Sequence, residues 1–257
     1  MQTILDVQSL KKYYGKEPNQ TKALDGVSFQ VIQGEFLGIM GASGSGKTTL
    51  LNCLASIIRP TAGSIYLKDK ELGRLKESEL AHYRGNEIGY LFQNFELIDN
   101  LTAKENILLP LSLHKVSERE SAERLKLLSN YLDITDVLDK FPSQMSGGQR
   151  QRVAAARALI LDPHIVFADE PTGALDSKNA RILMERLAGM NAVEKTTILM
   201  VTHNSYAASF CNRILFIQDG KLFHELRRDH PRETQEDFYQ RILRVMSMFA
   251  GGEPNVF

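Results

Sequence analysis

Residues Gly41-Ala42-Ser43-Gly44-Ser45-Gly46-Lys47-Thr48 carry glycines, a lysine and a hydroxyl at the spacing that wraps backbone around an anion. The glycines let successive amides curl onto phosphate oxygens, and a helix starting there adds the positive end of its dipole. Lys47 supplies a mobile charge, and the Thr48 hydroxyl can ligate Mg2+. The run lies between the apolar segment EFLGIM (35–40) and TTLLNCLASII, the strand-to-helix junction that such a loop requires. A second segment, HIVFADE (164–170), uses consecutive apolar residues to drive a buried strand that delivers Asp169 and Glu170 to its C-terminal edge. Ligands of open α/β sheets bind at that edge. Asp169 suits Mg2+, directly or through water, and Glu170 suits polarisation of an attacking water, a role that contributes roughly 10²–10⁴-fold in rate. Gln93 and His203 close the segments IGYLFQ (88–93) and TTILMVTH (196–203), which places them on the same rim. The amide could sense Mg2+ or the water, and the histidine could bond a γ-phosphate; a structural role stands as the alternative for each.

Positioning these groups takes a sheet. Short apolar runs alternate with helical ones, the pattern of an α/β domain with a largely parallel sheet. The core strands are expected at 35–40, 88–93, 164–170, 196–203 and 213–220. The segments ILDVQSL, ALDGVSFQVI and GSIYLKD predict an antiparallel layer beside that sheet. From about 101 to 161 the chain reads as a helical insertion, with a capping box from Ser117 to Glu120 and leucines 125, 128 and 132 at helical spacing. Near the C-terminus, Phe238, Ile242, Val245 and Phe249 share one helical stripe, expected to pack on its own domain, with a partner-binding helix as the alternative.

The 257 residues and 43% hydrophobic content suit an ordinary globular core. Lys+Arg and Asp+Glu both number 31, so no net charge draws the chain toward nucleic acid or anionic lipid. Cys53 and Cys211 lack neighbours at metal-ligand spacing and read as buried thiols of a reducing compartment. Charge appears too early in MQTILDVQSLKKYYG for a secretory segment, and no apolar run approaches the roughly 18 residues of a membrane span.

One further stretch, MSGGQRQRVAAARAL (145–159), starts a second helix of anion-binding type. Ser146 is a good cap, and Gly147 and Gly148 allow close backbone approach, although a capped surface helix would look the same. Together with DEPTGALDS (169–177), MSGGQRQR resembles the signature peptide, Walker B strand and D-loop of ATP-binding cassette ATPases, and the match spans nearly the whole chain. That resemblance implies a P-loop, RecA-like α/β core with an antiparallel layer and a helical subdomain at about 94–161, in one domain over 1–257 that ends in a helix at about 235–249. It implies ATP and Mg2+ as ligands, and two copies that sandwich two nucleotides head to tail. The signature turn of one copy then caps the ATP of the other.

Residue by residue, the resemblance puts the adenine-stacking aromatic at Tyr14, with Tyr13 as the alternative, and the phosphate loop at Gly41 to Thr48, with Thr49 near the α-phosphate. The Q-loop glutamine is Gln93, the catalytic glutamate Glu170, the switch histidine His203 and the D-loop aspartate Asp176. Ser146, Gly147, Gly148 and Gln149 form the signature contact. Thr48, Gln93 and Asp169 would serve the metal. Met145 stands where leucine is usual, an apolar swap of similar volume. GASGSGKTTLLN, LFQNFELIDNLTAKENILLPLSL (91–113) and YQRILRVMSMFAGG (239–252) are similar to the bacitracin-export-type branch of the macrolide-export and lipoprotein-release ATPases. That branch implies a permease with a large extracellular domain, an associated sensor kinase, a place at the cytoplasmic face of the membrane, and no nucleic acid. Phe95, Leu97, Ile98 and Leu101 would seat the permease or else fill the insertion's own core. A non-exporting cell-division or lipoprotein-release machine is the alternative. DNA-repair and translation cassettes carry a second cassette or a long coiled coil, and this chain has neither.

Overall fold

The computed structural model describes residues 2–229 and 231–249. The chain opens with two long antiparallel strands, β1 (Thr3–Tyr14) and β2 (Thr21–Ile32), before the buried strand β3 (Phe36–Met40). A loop then enters α1 (Lys47–Leu54), followed by β4 (Ala62–Leu67), β5 (Lys70–Glu71), α2 (Glu77–His82) and β6 (Ile88–Leu91). The helical insertion comprises α3 (Ala103–Leu113), α4 (Glu118–Tyr131) and α5 (Gly147–Leu159). The chain returns through β7 (Ile165–Asp169), α6 (Ser177–Glu194), β8 (Ile198–Thr202), α7 (Ser205–Ala208), β9 (Arg213–Gln218), β10 (Lys221–Arg227) and α8 (Gln235–Phe249).

Two sheets result. One is antiparallel, in the order β2-β1-β4-β5; the other runs β10-β9-β3-β8-β7-β6, with every pair parallel except β9 and β10. The central strands are covered on both faces, which is why they are apolar throughout. Their alternation separates two cores. Ile165, Phe167, Leu199 and Val201 face the antiparallel layer and α1, where Leu50, Leu51 and Leu54 meet Val7, Leu10 and Val27. Val166, Ala168, Ile198 and Met200 face the helices, with Ile107, Leu128, Val153 and Leu187. Among the described residues no helix is long and apolar enough to cross a membrane. Both thiols are buried, and burial pushes Cys53 up to about 12.

Three local expectations need correction. The segment at 213–220 ends as a strand at Gln218, because Asp219 and Gly220 turn with positive φ and return the chain into β10. Asp-Gly is a strong hairpin signal, so β10 was within reach of the sequence. The capping box at α4 is half formed: Ser117 Oγ accepts from the Glu120 N–H at 3.3 Å, but the Glu120 carboxylate accepts from Arg124 instead, at 2.7 Å. Arg124 lies four residues on and competes for that carboxylate. The reciprocal box occurs at α3, between Thr102 and Glu105. The segment at 88–93 stops as a strand at Leu91, which leaves Gln93 in the loop beyond. Leu125, Leu128 and Leu132 are buried as expected. In α8, Phe238 and Ile242 are fully buried and Val245 packs against the helical core, so this stripe serves its own fold; the Phe249 side chain and residues 250–257 lie outside the described residues.

Candidate functional site

The parallel register brings the strand ends level. Met40 lies beside Thr202, Val201 beside Asp169 and Ala168 beside Leu91, so the residues that follow share one rim. After β3 the chain curls, and Gly46 adopts φ 101°. A Cβ there would also collide with the Ala23 carbonyl, so only glycine fits. Lys47 is buried, and its ammonium donates to the Gly41 and Ala42 carbonyls at 2.9 and 3.0 Å, 3.9 Å from Glu170 Oε1. Burial pulls its pKa down, against the pull of the Glu170 and Asp169 carboxylates. Ser45 Oγ is buried without a hydrogen-bond partner among the described residues, an orphan that a phosphate oxygen would satisfy. Ala42, Ser43, Gly44 and Thr48 are exposed and Thr49 is half-buried, which leaves the loop open to a ligand.

Across the rim, the Thr48 hydroxyl donates to Asp169 Oδ1 at 3.3 Å. Burial raises the Asp169 pKa, opposed chiefly by that hydrogen bond. A hydroxyl and a carboxylate this close fit Mg2+, which takes few protein ligands and fills its octahedron from phosphates and water. Among the described residues there is no group of three or more His, Cys, Asp or Glu that could hold a metal ion.

Strand β7 ends at Asp169 because Glu170 turns into the left-handed region, φ 45°. Its N–H donates to the Val201 carbonyl at 3.0 Å and its carbonyl accepts from Gly173 N–H at 2.8 Å, so the strained residue is held from both sides. Glu170 is 8% exposed, and its carboxylate accepts from the His203 backbone N–H at 3.2 Å, with His203 Nδ1 2.9 Å from its other oxygen. Gln93 is exposed and lies against the same turn: a Cβ on Gly173 would stand 2.7 Å from Gln93 Nε2. The phosphate loop, both carboxylates, Gln93 and His203 are therefore gathered on one edge.

The signature residues form a separate group. Ser146 Oγ accepts from Gln149 N–H at 3.2 Å, and Gln149 Oε1 accepts from Ser146 N–H at 2.9 Å. Gly147 and Gly148 begin α5, where amides have no intrahelical acceptor. Asp176 caps α6 by accepting from Asn179 N–H and Nδ2, both at 2.8 Å, and the backbone bond is the main cause of its lowered pKa. Asn179 presses on Gly148 so closely that no Cβ fits there. The atoms that a Cβ at Gly147 or Gly148 would meet first belong to Ala174, Leu175, Phe95 and Asn179, none of them in the phosphate loop of the same chain. Asn179 was missed, although an asparagine three residues after a capping aspartate was the available signal.

At the end of β1 the two tyrosines differ. The Tyr13 hydroxyl donates to Asp25 Oδ1 at 2.6 Å, which is also the main reason its pKa is raised. Tyr14 is 44% exposed, with Lys12 Nζ 5.1 Å from its ring centroid. Stacking of a base on an aromatic ring contributes roughly 1–3 kcal/mol. If the base stacks on the exposed ring, Tyr14→Ala weakens ATP binding at least about fivefold in a nucleotide titration, while Tyr13→Ala stays within about twofold. The reverse order would move the stacking role to Tyr13.

Known proteins resemble this arrangement. The family described as "ABC transporter" matches residues 24–173. The bacitracin export ATP-binding protein BceA of Halalkalibacterium halodurans is 46% identical over 96% of this chain and 97% of its own length. The lipoprotein-releasing system ATP-binding protein LolD 1 of Rhodopseudomonas palustris is 40% identical over 86% of this chain and 99% of its own. Among solved structures, the dimeric post-hydrolysis state of the ATP-binding cassette MJ0796, bound to ADP and Pi, superposes with a TM-score of 0.80 at 37% identity, covering 87% of this chain and 98% of that one. A glycine loop, two strand-end carboxylates and a second capped helix start on a parallel α/β sheet, together with a family match over more than half its length, show that this chain belongs to the ABC transporter family of ATPases.

Proposed function

We propose that two copies of this chain bind two ATP molecules head to tail, hydrolyse them, and so drive a membrane permease that protects the cell against antimicrobial peptides. Gly41 to Thr49 of one copy would cradle the phosphates of a nucleotide stacked on Tyr14, and Ser146 to Gln149 with Asp176 of the other copy would close the site. The observation that carries this reading is that the atoms nearest a Cβ at Gly147 and Gly148 belong to Ala174, Leu175, Phe95 and Asn179 and not to the chain's own phosphate loop. A helix start with free amides can bind a phosphate, and the likeness to dimeric cassettes supports a nucleotide of the other copy as its ligand.

Within each copy, Lys47 would hold the β- and γ-phosphates, Glu170 would take a proton from the attacking water, and His203, whose Nδ1 lies on the Glu170 carboxylate, would bond the γ-phosphate. Thr48 and Asp169 would hold Mg2+, and Gln93, which lies against the turn at Gly173, would serve the same ion. Bound there, the ion neutralises charge on the phosphate oxygens. A single cassette spans residues 1–257, with the helical part at about 94–161 as its permease-facing lobe, at the cytoplasmic face of the membrane. Export is favoured over lipoprotein release because the export relative matches 96% of the chain and the lipoprotein-releasing one 86%. By the resemblance to bacitracin-export-type ATPases, the permease would carry a large extracellular domain and communicate with a sensor kinase.

The seat of the permease is testable. Phe95 and Leu97 pack against the helical core, whereas Ile98 is 41% exposed. Ile98→Asp is expected to keep the ATPase rate of the isolated chain within about twofold and to remove peptide resistance in cells, since a surface charge seldom unfolds a protein. Loss of both activities would assign Ile98 to the core.

A further inference from the structure

Helix α5 does more than present its first turn. Gln151 is fully buried, and its amide nitrogen donates twice, to the Phe92 carbonyl at 3.0 Å and to the Pro171 carbonyl at 2.9 Å. Phe92 directly precedes Gln93, and Pro171 directly follows Glu170. One side chain therefore ties the backbone next to both groups that face the attacking water. Further along the helix, Arg157 donates to the Phe95 and Glu96 carbonyls, at 3.0 and 2.5 Å. Phe95 and Glu96 both have positive φ, 66° and 48°, so this segment is strained and needs outside support. The Arg150 guanidinium lies 4.8 Å over the Phe95 ring.

We infer that Gln151 and Arg157 are positioning residues, which hold the Gln93 loop and the turn at Glu170 in fixed relation to the signature turn of the same helix. The inference rests on the reading that the Ser146–Gly148 turn contacts the nucleotide of the other copy. When that turn seats, α5 moves as a rigid rod, and the clamp carries the movement to Gln93 and Glu170 of its own subunit. Engagement at one nucleotide thereby aligns the hydrolytic residues at the other. Two features mark this as more than packing. Both hydrogens of a buried amide are used on two different loops, and its Oε1 accepts nothing among the described residues. A residue selected only to fill space there would be apolar.

The test uses the full-length chain, with ATP binding, steady-state turnover and thermal unfolding measured on each variant. Gln151→Met keeps the volume and removes both donors; Gln151→Lys restores donors on a chain one atom longer. The methionine variant should bind ATP within about twofold of the native chain and lose at least about tenfold in kcat with little change in KM, and lysine should recover part of that loss. In a chain carrying both Gln93→Ala and Glu170→Gln, Gln151→Met should cost no more than about twofold, because the clamp acts through the residues already disabled. Native kcat in a folded Gln151→Met chain overturns the clamp, as does a loss of ATP affinity that parallels the loss of kcat. Should Gln151→Met fail to fold, Arg157→Met, at a half-exposed position, decides: it should lower kcat at least about threefold, and an unchanged kcat overturns the proposal. Absence of any ATP-dependent cross-link between copies at the Ser146–Gly148 turn would instead remove the underlying reading, so the two failures are distinguishable.

Discussion

Replacing Glu170 by glutamine is expected to lower ATP turnover at least about 100-fold while leaving the Kd for ATP within about threefold, and to trap a nucleotide-bound dimer. The carboxylate is buried at the rim, and its contacts are the His203 backbone N–H, His203 Nδ1 and, farther off, Lys47. None of these is a phosphate-cradling amide. Glutamine keeps the volume and one acceptor oxygen, so the strained turn at φ 45° and its bonds to Val201 and Gly173 survive. What it loses is the capacity to take a proton. Phosphate release measured alongside equilibrium nucleotide binding separates the two effects. Normal turnover by the purified variant would remove Glu170 from the reaction.

Lys47→Ala should act on the other half of the site. Its ammonium sits on two carbonyls of its own loop and faces Glu170, so it is already oriented, and partly desolvated, where phosphate charge would arrive. Losing a charge-assisted contact of about 3 kcal/mol weakens ATP binding about 100-fold. The fold should tolerate the change, because β3 and α1 are held by Leu37, Ile39, Leu50 and Leu51 rather than by the lysine. An unchanged Kd would count against the role of the loop.

Much of this was legible because the chemistry is local in the chain. The loop from Gly41 to Thr48 needs only its own glycines and the helix after it, and the strand-end carboxylates need only the apolar run before them. The parallel α/β core followed from the same runs. What escaped was made by contacts distant in sequence. Nothing around Gln151 indicates that it meets Phe92, 59 residues earlier, and Pro171, 20 residues later. Tyr13 and Tyr14 look alike until Asp25 on the paired strand engages one of them. The half-formed cap at Ser117 shows the same limit at short range: the pattern was present, and Arg124 drew Glu120 away. The turn at Glu170 was hidden because a strand pattern does not report where φ changes sign.

If the glycine turn of one copy closes over the nucleotide of another, a nucleotide-dependent disulfide reports it. Cys53 and Cys211 are buried, so introduced thiols are the accessible ones among the described residues. Ser43 is exposed, and a Cβ on Gly147 meets nothing closer than 3.8 Å, so both positions accept cysteine. A Ser43→Cys chain mixed with a Gly147→Cys chain, both also carrying Glu170→Gln, should cross-link into a covalent pair when ATP and Mg2+ are present and remain separate without nucleotide. If ATP-loaded chains form no such pair, and a chain carrying both cysteines links only within itself at dilution, the shared site does not exist.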